Sequence, residues 1–196
     1  MAKKQINKSS RISVVKKRWY SLEAPKVFDN IPFGETPAAD EKLLVGRHVK
    51  SSLNTFMRGG KRQNVEVTFR ITEVKAGKCE TEFMKAEILQ PYVKRLVKRA
   101  KKRFDNSFLV KTKDDIDVRL KPILLVKDTV QKGIGTALRK ITEEYYLNVA
   151  KELTFNELVN KVLLGETSKD LKSQLKQTYP VAIVEMRILQ RAKLKK

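Results

Sequence analysis

The sequence predicts an α+β fold with a twisted, barrel-like antiparallel sheet, flanking helices and an extended basic N-terminal arm. Several stretches alternate apolar and polar residues with a period of two, as strands do. Short turn signals join consecutive strands, which implies antiparallel hairpins, and other stretches space their apolar residues as helices do. Of the 196 residues, 41% are hydrophobic, which is enough for a core. We therefore expect one α+β domain over 19–196 that follows a basic extension over 1–18.

The extension contains seven cations and no acidic residue. Its apolar residues are sparse and have no period, so we expect an arm that is disordered in isolation and extends along a polyanion. The arm's cations are Lys3, Lys4, Lys8, Arg11, Lys16, Lys17 and Arg18. In the segment that follows, Pro25, Pro32 and Pro37 exclude a long regular element.

Strands are predicted after this segment. Alternation begins at 45–53, and NVEVTFRI over 64–71 places four apolar residues on one face. KAGK over 75–78 predicts a turn. The next strand continues to residue 89, but its alternation slips by one residue between Phe83 and Met84. A slip inside a strand predicts a β-bulge.

A second hairpin is predicted from SFLV over 107–110, a KTKDD turn and IDVRLKPILLV over 116–126. Pro122 has no N–H to donate to a neighbouring strand, so it predicts an edge position or a break in the strand. The last strand is predicted over 181–189.

Helices are predicted over 91–104, from about Thr136, and from the capping box TFNE at 154–157 up to Gly165. A further short helix is expected to begin at Thr167 and to end before Pro180.

The helix predicted over 91–104 contains the run VKRLVKRAKKR at 93–103. Its apolar stripe comprises Tyr92, Val93, Leu96, Val97, Ala100 and Phe104. The cations are Lys94, Arg95, Lys98, Arg99, Lys101, Lys102 and Arg103. Like charges four residues apart repel one another on a helix, so this pattern predicts that phosphates face it. The alternative is an ordinary solvated face, although such faces usually mix Lys with Glu.

Other basic zones without an acidic residue are 1–18, 42–64 and 187–196. The loop MRGGKRQN contributes Arg58, Lys61 and Arg62, and Trp19 beside the arm is a candidate for stacking on a base or for packing at the edge of the core. The net charge of +21 indicates a polyanionic partner. Zones at several separate points favour folded RNA over a single DNA groove, and the absence of a long apolar stretch argues against a transmembrane helix.

Catalytic chemistry finds little support in the sequence. Asp114, Asp115 and Asp117 suggest a magnesium-dependent nuclease, but their position between two strands favours turn roles. His48 is the single histidine and Cys79 the single cysteine. A multi-cysteine zinc site is therefore excluded, and the isolated His48 gives no support for a Ser–His or Cys–His nucleophile pair. We expect no enzyme activity, no metal and no cofactor.

Five segments resemble, in order, the S-three-a-e family of small-subunit ribosomal proteins, also called eukaryotic-type S-one. They are KKRWYSLEAPKVF at 16–28, RITEVKAGKCETEF at 70–83, VRLKPILLVK at 118–127, NELVNKVL at 156–163 and SKDLKSQLKQTYPVAIVEMRI at 168–188. The resemblance covers nearly the whole chain after the first dozen residues. The chain lacks the long C-terminal extension of the eukaryotic members, so an archaeal type is expected.

The resemblance implies a structural component of the small ribosomal subunit that supports translation in the cytoplasm. Members lie on the platform, near the 3′ end of the ribosomal RNA and the exit of messenger RNA. The implied partners are small-subunit ribosomal RNA, neighbouring platform proteins and messenger RNA near the exit, with no membrane and no homo-oligomer. The alternative is a DNA-binding or chromatin architectural protein, which the two short helices around LGET at 164–167 suggest.

Overall fold

The computed structural model describes residues 16–57, 62–98 and 102–192. Nine strands are described: β1 Arg18–Glu23, β2 Pro32–Ala38, β3 His48–Ser52, β4 Val65–Lys75, β5 Lys78–Ile88, β6 Lys102–Asp105, β7 Phe108–Lys111, β8 Asp117–Val126 and β9 Ile183–Arg191. Four α-helices accompany them: α1 Gln90–Val97, α2 Lys132–Glu152, α3 Phe155–Leu164 and α4 Glu166–Thr178. Short 3₁₀ turns occur at Lys26–Phe28, Glu41–Leu43 and Leu53–Thr55.

Some predictions concern residues outside the described ranges. They are those for the arm at 1–15, which includes Lys3, Lys4, Lys8 and Arg11, those for Arg58, Lys61, Arg99, Ala100 and Lys101, and those for the terminal cations at 193–196.

The strands form one mixed sheet in which β5 is central. Along one edge β5 pairs with β4; along the other it pairs with β1 at its start and with β9 near its end. The pair of β1 with β5 is parallel, whereas the other pairs are antiparallel. Within the described residues β2 and β6 end the strand order without pairing to each other. The sheet is not closed, so the structure does not support the barrel-like, wholly antiparallel form that the sequence predicted.

The predicted β-bulge is confirmed in β5. Thr68 of β4 lies opposite Lys85 and the next residue, Phe69, lies opposite Phe83, so Met84 is the extra residue. The turn between the two strands is also confirmed, with Ala76 and Gly77 at φ 49° and 80°. Positive φ at both central residues gives the twist that joins two antiparallel strands tightly.

Pro122 lies in the interior of the sheet and not at an edge. β8 pairs with β9 on one side, and with β7 and then β6 on the other. The register to β9 shifts between Lys121 and Pro122, and neither of these residues pairs with β6 or β7. The proline therefore lies at a register shift where no ladder N–H is needed, but β8 itself runs unbroken over Asp117–Val126, so both the predicted edge position and the predicted break in the strand are wrong.

The helices α2, α3 and α4 cover one face of the sheet and bury Leu138, Tyr146, Leu158 and Leu171 completely. The predicted capping box at the start of α3 is confirmed: the Thr154 backbone N–H donates to Glu157 at 2.9 Å, and the Glu157 N–H donates to the Thr154 hydroxyl at 3.5 Å. Gly165 ends α3 in the left-handed conformation, at φ 81°. α4 begins directly after it at Glu166, one residue earlier than the sequence predicted, and Thr167 is a buried residue of its first turn.

The helix α1 packs on the opposite face of the sheet. Its buried residues Val93 and Leu96 contact a cluster that includes Ile88, Ile123 and Leu125. Successive residues of a strand point to opposite faces, so β8 carries Ile123 and Leu125 toward α1 and buries Leu124 and Val126 beneath α2–α4. This strand is covered on both faces.

The helix predicted over 91–104 is shorter than expected. α1 ends at Val97, and Lys102–Asp105 is the strand β6, which pairs with β8. Phe104 fits the spacing of the apolar stripe, but it is buried beside α2, where a Cβ on Gly135 would lie 2.6 Å from the Phe104 ring. Strand pairing to β8 and packing of Phe104 on α2 determine the conformation of this segment. The helical spacing of its apolar residues cannot indicate either contact.

Candidate RNA-binding surface

The cations of α1 lie on its solvent-facing side. Lys94, Arg95 and Lys98, the last of which is the C-cap residue that follows α1, are exposed, and none of them forms an ion pair within the described residues. The Arg95 guanidinium lies 5.5 Å from the centre of the Tyr92 ring. Val93 and Leu96 anchor the helix below, at 2% and 8% exposure. A fixed helix thus presents three uncompensated charges to solvent.

The two cations of β6 have partners inside the protein. The Lys102 ammonium donates to the Val130 carbonyl at 2.7 Å and lies 5.8 Å from the centre of the Phe104 ring. The Arg103 guanidinium forms two contacts with the Asp105 carboxylate, at 2.7 Å and 2.9 Å. A phosphate would have to compete with these groups, so the proposed interface does not include Lys102 and Arg103.

The start of β1 carries Lys16, Lys17 and Arg18, all exposed, beside Trp19. Trp19 is 67% exposed and lies opposite Pro37 of β2, whereas Tyr20 points to the other face and is buried. Packing of Trp19 in the core is therefore excluded. An exposed indole among three cations fits the predicted stacking on an unpaired base.

Elsewhere on the sheet, acidic side chains compensate cations. Eight carboxylates form ion pairs with Lys or Arg among the described residues: Glu23, Glu66, Glu73, Glu80, Glu82, Glu87, Asp105 and Asp115. The Lys50 ammonium, for example, lies 2.8 Å from Glu66, and that hydrogen bond raises the pKa of Lys50. Among the described residues other exposed cations, such as Lys26, Lys42 and Lys140, also form no ion pair, so the cations at α1 and the start of β1 are distinguished by their close spacing along the chain.

The three carboxylates considered for metal binding have structural roles. Asp114 accepts a hydrogen bond from the backbone N–H of Phe155 at 3.0 Å and so ties the β7–β8 turn to α3. Asp115 occupies the left-handed region at φ 61°, and Asp117 begins β8. Among the described residues, no group of three or more His, Cys, Asp and Glu is arranged to hold a metal ion. The predicted turn position is confirmed for Asp114 and Asp115, whereas Asp117 is a strand residue that pairs with Lys111 of β7.

The buried titratable groups do not form a reactive site. Cys79 is fully buried, and burial raises the pKa of its thiol, which keeps the unreactive protonated form. Burial also raises the pKa of Tyr145 to about 12 and that of Tyr146 still further. In the described part of the chain, no helix is both long and apolar enough to cross a membrane.

Arg62 is half-buried, as Lys102 is, and it lies away from both α1 and β1 in the sequence. Its guanidinium lies against Gly165, where a Cβ would collide with it, and it borders a cleft that Tyr92 and Glu185 also line. Tyr92 fits the apolar stripe predicted for the helix at 91–104, and Glu185 has no predicted role. Glu185 is a polar position in an alternating strand, which predicts a solvent-facing side chain, so no sequence signal indicated the cleft.

Comparison with known proteins confirms the family that the sequence motifs indicate. The Ribosomal S3Ae family matches residues 5–193. A protein of Nanoarchaeum equitans is 31% identical over 165 residues, which is 84% of this chain and 83% of that protein. Proteins of Staphylothermus marinus and Methanothrix thermoacetophila are 34% and 32% identical over 87% and 95% of the chain, and 80% and 88% of their own lengths. All three carry the name small ribosomal subunit protein eS1. The chain belongs to the ribosomal S3Ae family.

Proposed function

We propose that this protein is a structural, non-enzymatic component of the small ribosomal subunit and binds its ribosomal RNA. The observation that carries the proposal is a match to the family over residues 5–193, together with archaeal relatives that are named as small-subunit proteins. The net charge of +21 supports RNA binding, since a compact chain with such an excess of cations is stabilised by a polyanion.

The RNA contact is assigned first to α1. Lys94, Arg95 and Lys98 project from a helix whose other side is buried, so their spacing is set by the backbone and not by flexible loops. Lys and Arg side chains that meet phosphates fix the position of a protein on RNA without selecting a base sequence. Each phosphate that a cation neutralises releases condensed counterions, which favours binding at low salt.

A second, separate RNA contact is assigned to the start of β1, which lies beyond the first residue of β5, whereas α1 follows the last residue of β5. Lys16, Lys17 and Arg18 supply charge, and Trp19 supplies an aromatic surface for an unpaired base. On the sequence resemblance we also place the protein on the platform of the subunit, near the 3′ end of the ribosomal RNA and the messenger exit. Platform proteins and messenger RNA near the exit are the partners in this proposal, and the ribosome-containing cytoplasm is its location.

The alternative of a DNA-binding helix pair receives no support from α3 and α4. Both helices bury apolar faces against the sheet and each other. On α4, the Lys172 ammonium donates to the Ala182 carbonyl at 2.7 Å, so this cation already has a partner within the protein.

Sedimentation of cell extract tests the proposal. An epitope-tagged chain, produced at its natural level, is followed through a sucrose gradient with and without prior ribonuclease treatment. We expect the tagged chain to sediment with small subunits and to leave those fractions after ribonuclease. Sedimentation with the nucleoid, or at the top of the gradient in untreated extract, would contradict the proposal.

A further inference from the structure

A cleft opens where β5 and β9 separate. The two strands pair only through Lys85–Glu87 and Ile188–Gln190, and beyond Glu87 no further pairs form. The space between Ile88 of β5 and Glu185 of β9 is a cleft of about 330 Å³. It is bounded by the first turn of α1 on one side and by the junction of α3 with α4 on the other.

The floor and one wall of the cleft are apolar or aromatic. Val65 and Ile88 form the floor, Tyr92 presents its ring, and Leu164 stands at the rim at 54% exposure. Arg95 lies on the Tyr92 ring and joins this wall to the cation surface of α1. Planar aromatic and guanidinium groups around an apolar floor suit a flat, unstacked nucleobase.

Inside the cleft, Glu185 is a carboxylate without a donor. It is half-buried and makes no hydrogen bond or ion pair with the described residues. Burial raises its pKa, and the positive charge of Arg62 acts in the opposite direction. A carboxylate that has lost part of its hydration gains from any ligand that brings N–H donors.

Two cations line the cleft, where they can contact the phosphate backbone of such a ligand. Arg62 lies against Gly165 at the C-terminal end of α3, and Lys169 projects from the first turns of α4. Gly165 allows the guanidinium this close approach because it has no side chain, and its left-handed φ of 81° also favours glycine. Two cations beside an apolar floor match a phosphate beside a base.

We infer that this cleft holds one unpaired guanine nucleotide of an RNA strand. The base lies on the apolar floor beside Tyr92, its N1–H and N2–H groups donate to the two oxygens of Glu185, and a neighbouring phosphate meets Arg62 and Lys169. Guanine alone among the four bases presents two adjacent N–H donors to a carboxylate, whereas adenine presents an acceptor at N1. The inference rests on the proposed RNA-binding function and adds a base-specific site to it.

Binding of short RNAs tests the inference. Fluorescence anisotropy compares two labelled uridine-rich single strands that differ only in one central residue, guanosine or adenosine. We expect the guanosine strand to bind about tenfold more tightly, since a bidentate contact discriminates by roughly this factor. Glu185→Gln should remove the preference, because an amide cannot accept both N–H groups. Glu35→Gln, at an exposed carboxylate on β2, is the matched control and should keep it.

A second variant, at an exposed residue, distinguishes a loss of RNA contacts from misfolding. Lys169 is exposed, so Lys169→Gln should leave the fold intact, weaken the affinity for both strands severalfold and leave the ratio of the two affinities unchanged.

Guanosine monophosphate is a further probe. If it binds as tightly as the guanosine strand, the cleft is a mononucleotide site and the inference is overturned.

Equal affinity for the two strands, or a preference that survives in Glu185→Gln, would also overturn it. If the protein binds small-subunit ribosomal RNA normally in that case, only the cleft inference fails. Failure to bind any RNA would instead contradict the proposed function.

Discussion

The cationic run at 93–103 divides between α1 and β6, and the two parts use their charge differently. In α1, Lys94, Arg95 and Lys98 extend into solvent and form no ion pair with the described residues. In β6, Lys102 donates to a backbone carbonyl and Arg103 pairs with Asp105. The comparison shows that charge density along a sequence does not identify the cations available to a partner; secondary structure and local acceptors decide it.

The largest effect on stability is expected under α1. Leu96→Ala removes a side chain that is 8% exposed and leaves a space between the helix and the sheet, so the free energy of unfolding should fall by about 2–5 kcal/mol. Urea denaturation at neutral pH measures the change. Leu109→Ala is the matched control, since Leu109 is 52% exposed, and it should cost little. Equal losses for the two variants would show that α1 is not anchored through Leu96.

A smaller loss is expected in β6. Combining Lys102→Met with Arg103→Gln leaves the Val130 carbonyl without its donor and removes a partly exposed ion pair, which should cost about 1–3 kcal/mol. The salt dependence of RNA binding should stay unchanged, because both cations already have acceptors within the protein with which a phosphate would have to compete. A stable double variant that binds RNA more weakly would remove the contrast between α1 and β6.

The smallest effect on stability is expected at the capping box of α3, and it depends on pH. Hydrogen bonds from Thr154 lower the pKa of Glu157 in the folded protein. The resulting stabilisation is complete above the pKa of Glu157 in the unfolded chain, and it is lost as the pH falls through the lower folded value. Urea unfolding of Glu157→Gln and of the unsubstituted protein should therefore differ at neutral pH and converge toward pH 3. A difference that grows with acidity would contradict this role of the capping box.

Local features of the fold could be predicted from the sequence. The slip between Phe83 and Met84, the capping box at Thr154 and the glycine that ends α3 depend on residues within a few positions of one another. The open sheet and the parallel pair of β1 with β5 could not be predicted, because they join segments that are more than fifty residues apart in the chain. Alternation reports which faces are buried and not which strands are neighbours.

The candidate site was predictable to a lesser extent. The cations of α1 and the residues around Trp19 followed from charge and from the absence of acidic neighbours. The strand conformation of Lys102 and Arg103 did not, since Phe104 fits the spacing of a helix and the acceptor at Val130 lies 28 residues away. The cleft at Glu185 depends on six elements, β4, β5, β9, α1, α3 and α4, which meet where two strands separate, and tertiary packing alone brings them together.

The salt dependence of RNA binding tests the central claim most directly. Two proteins are compared on one small-subunit RNA fragment. The triple variant combines Lys94→Gln, Arg95→Gln and Lys98→Gln, and the double variant combines Lys102→Met with Arg103→Gln. Each lost phosphate contact reduces the magnitude of the slope of log K against log[salt] by about 0.7–0.9. We predict that the triple variant loses roughly 2–3 units of slope at unchanged folding stability, whereas the double variant keeps the full slope. An unchanged slope in the triple variant would show that the cations of α1 face solvent and not RNA.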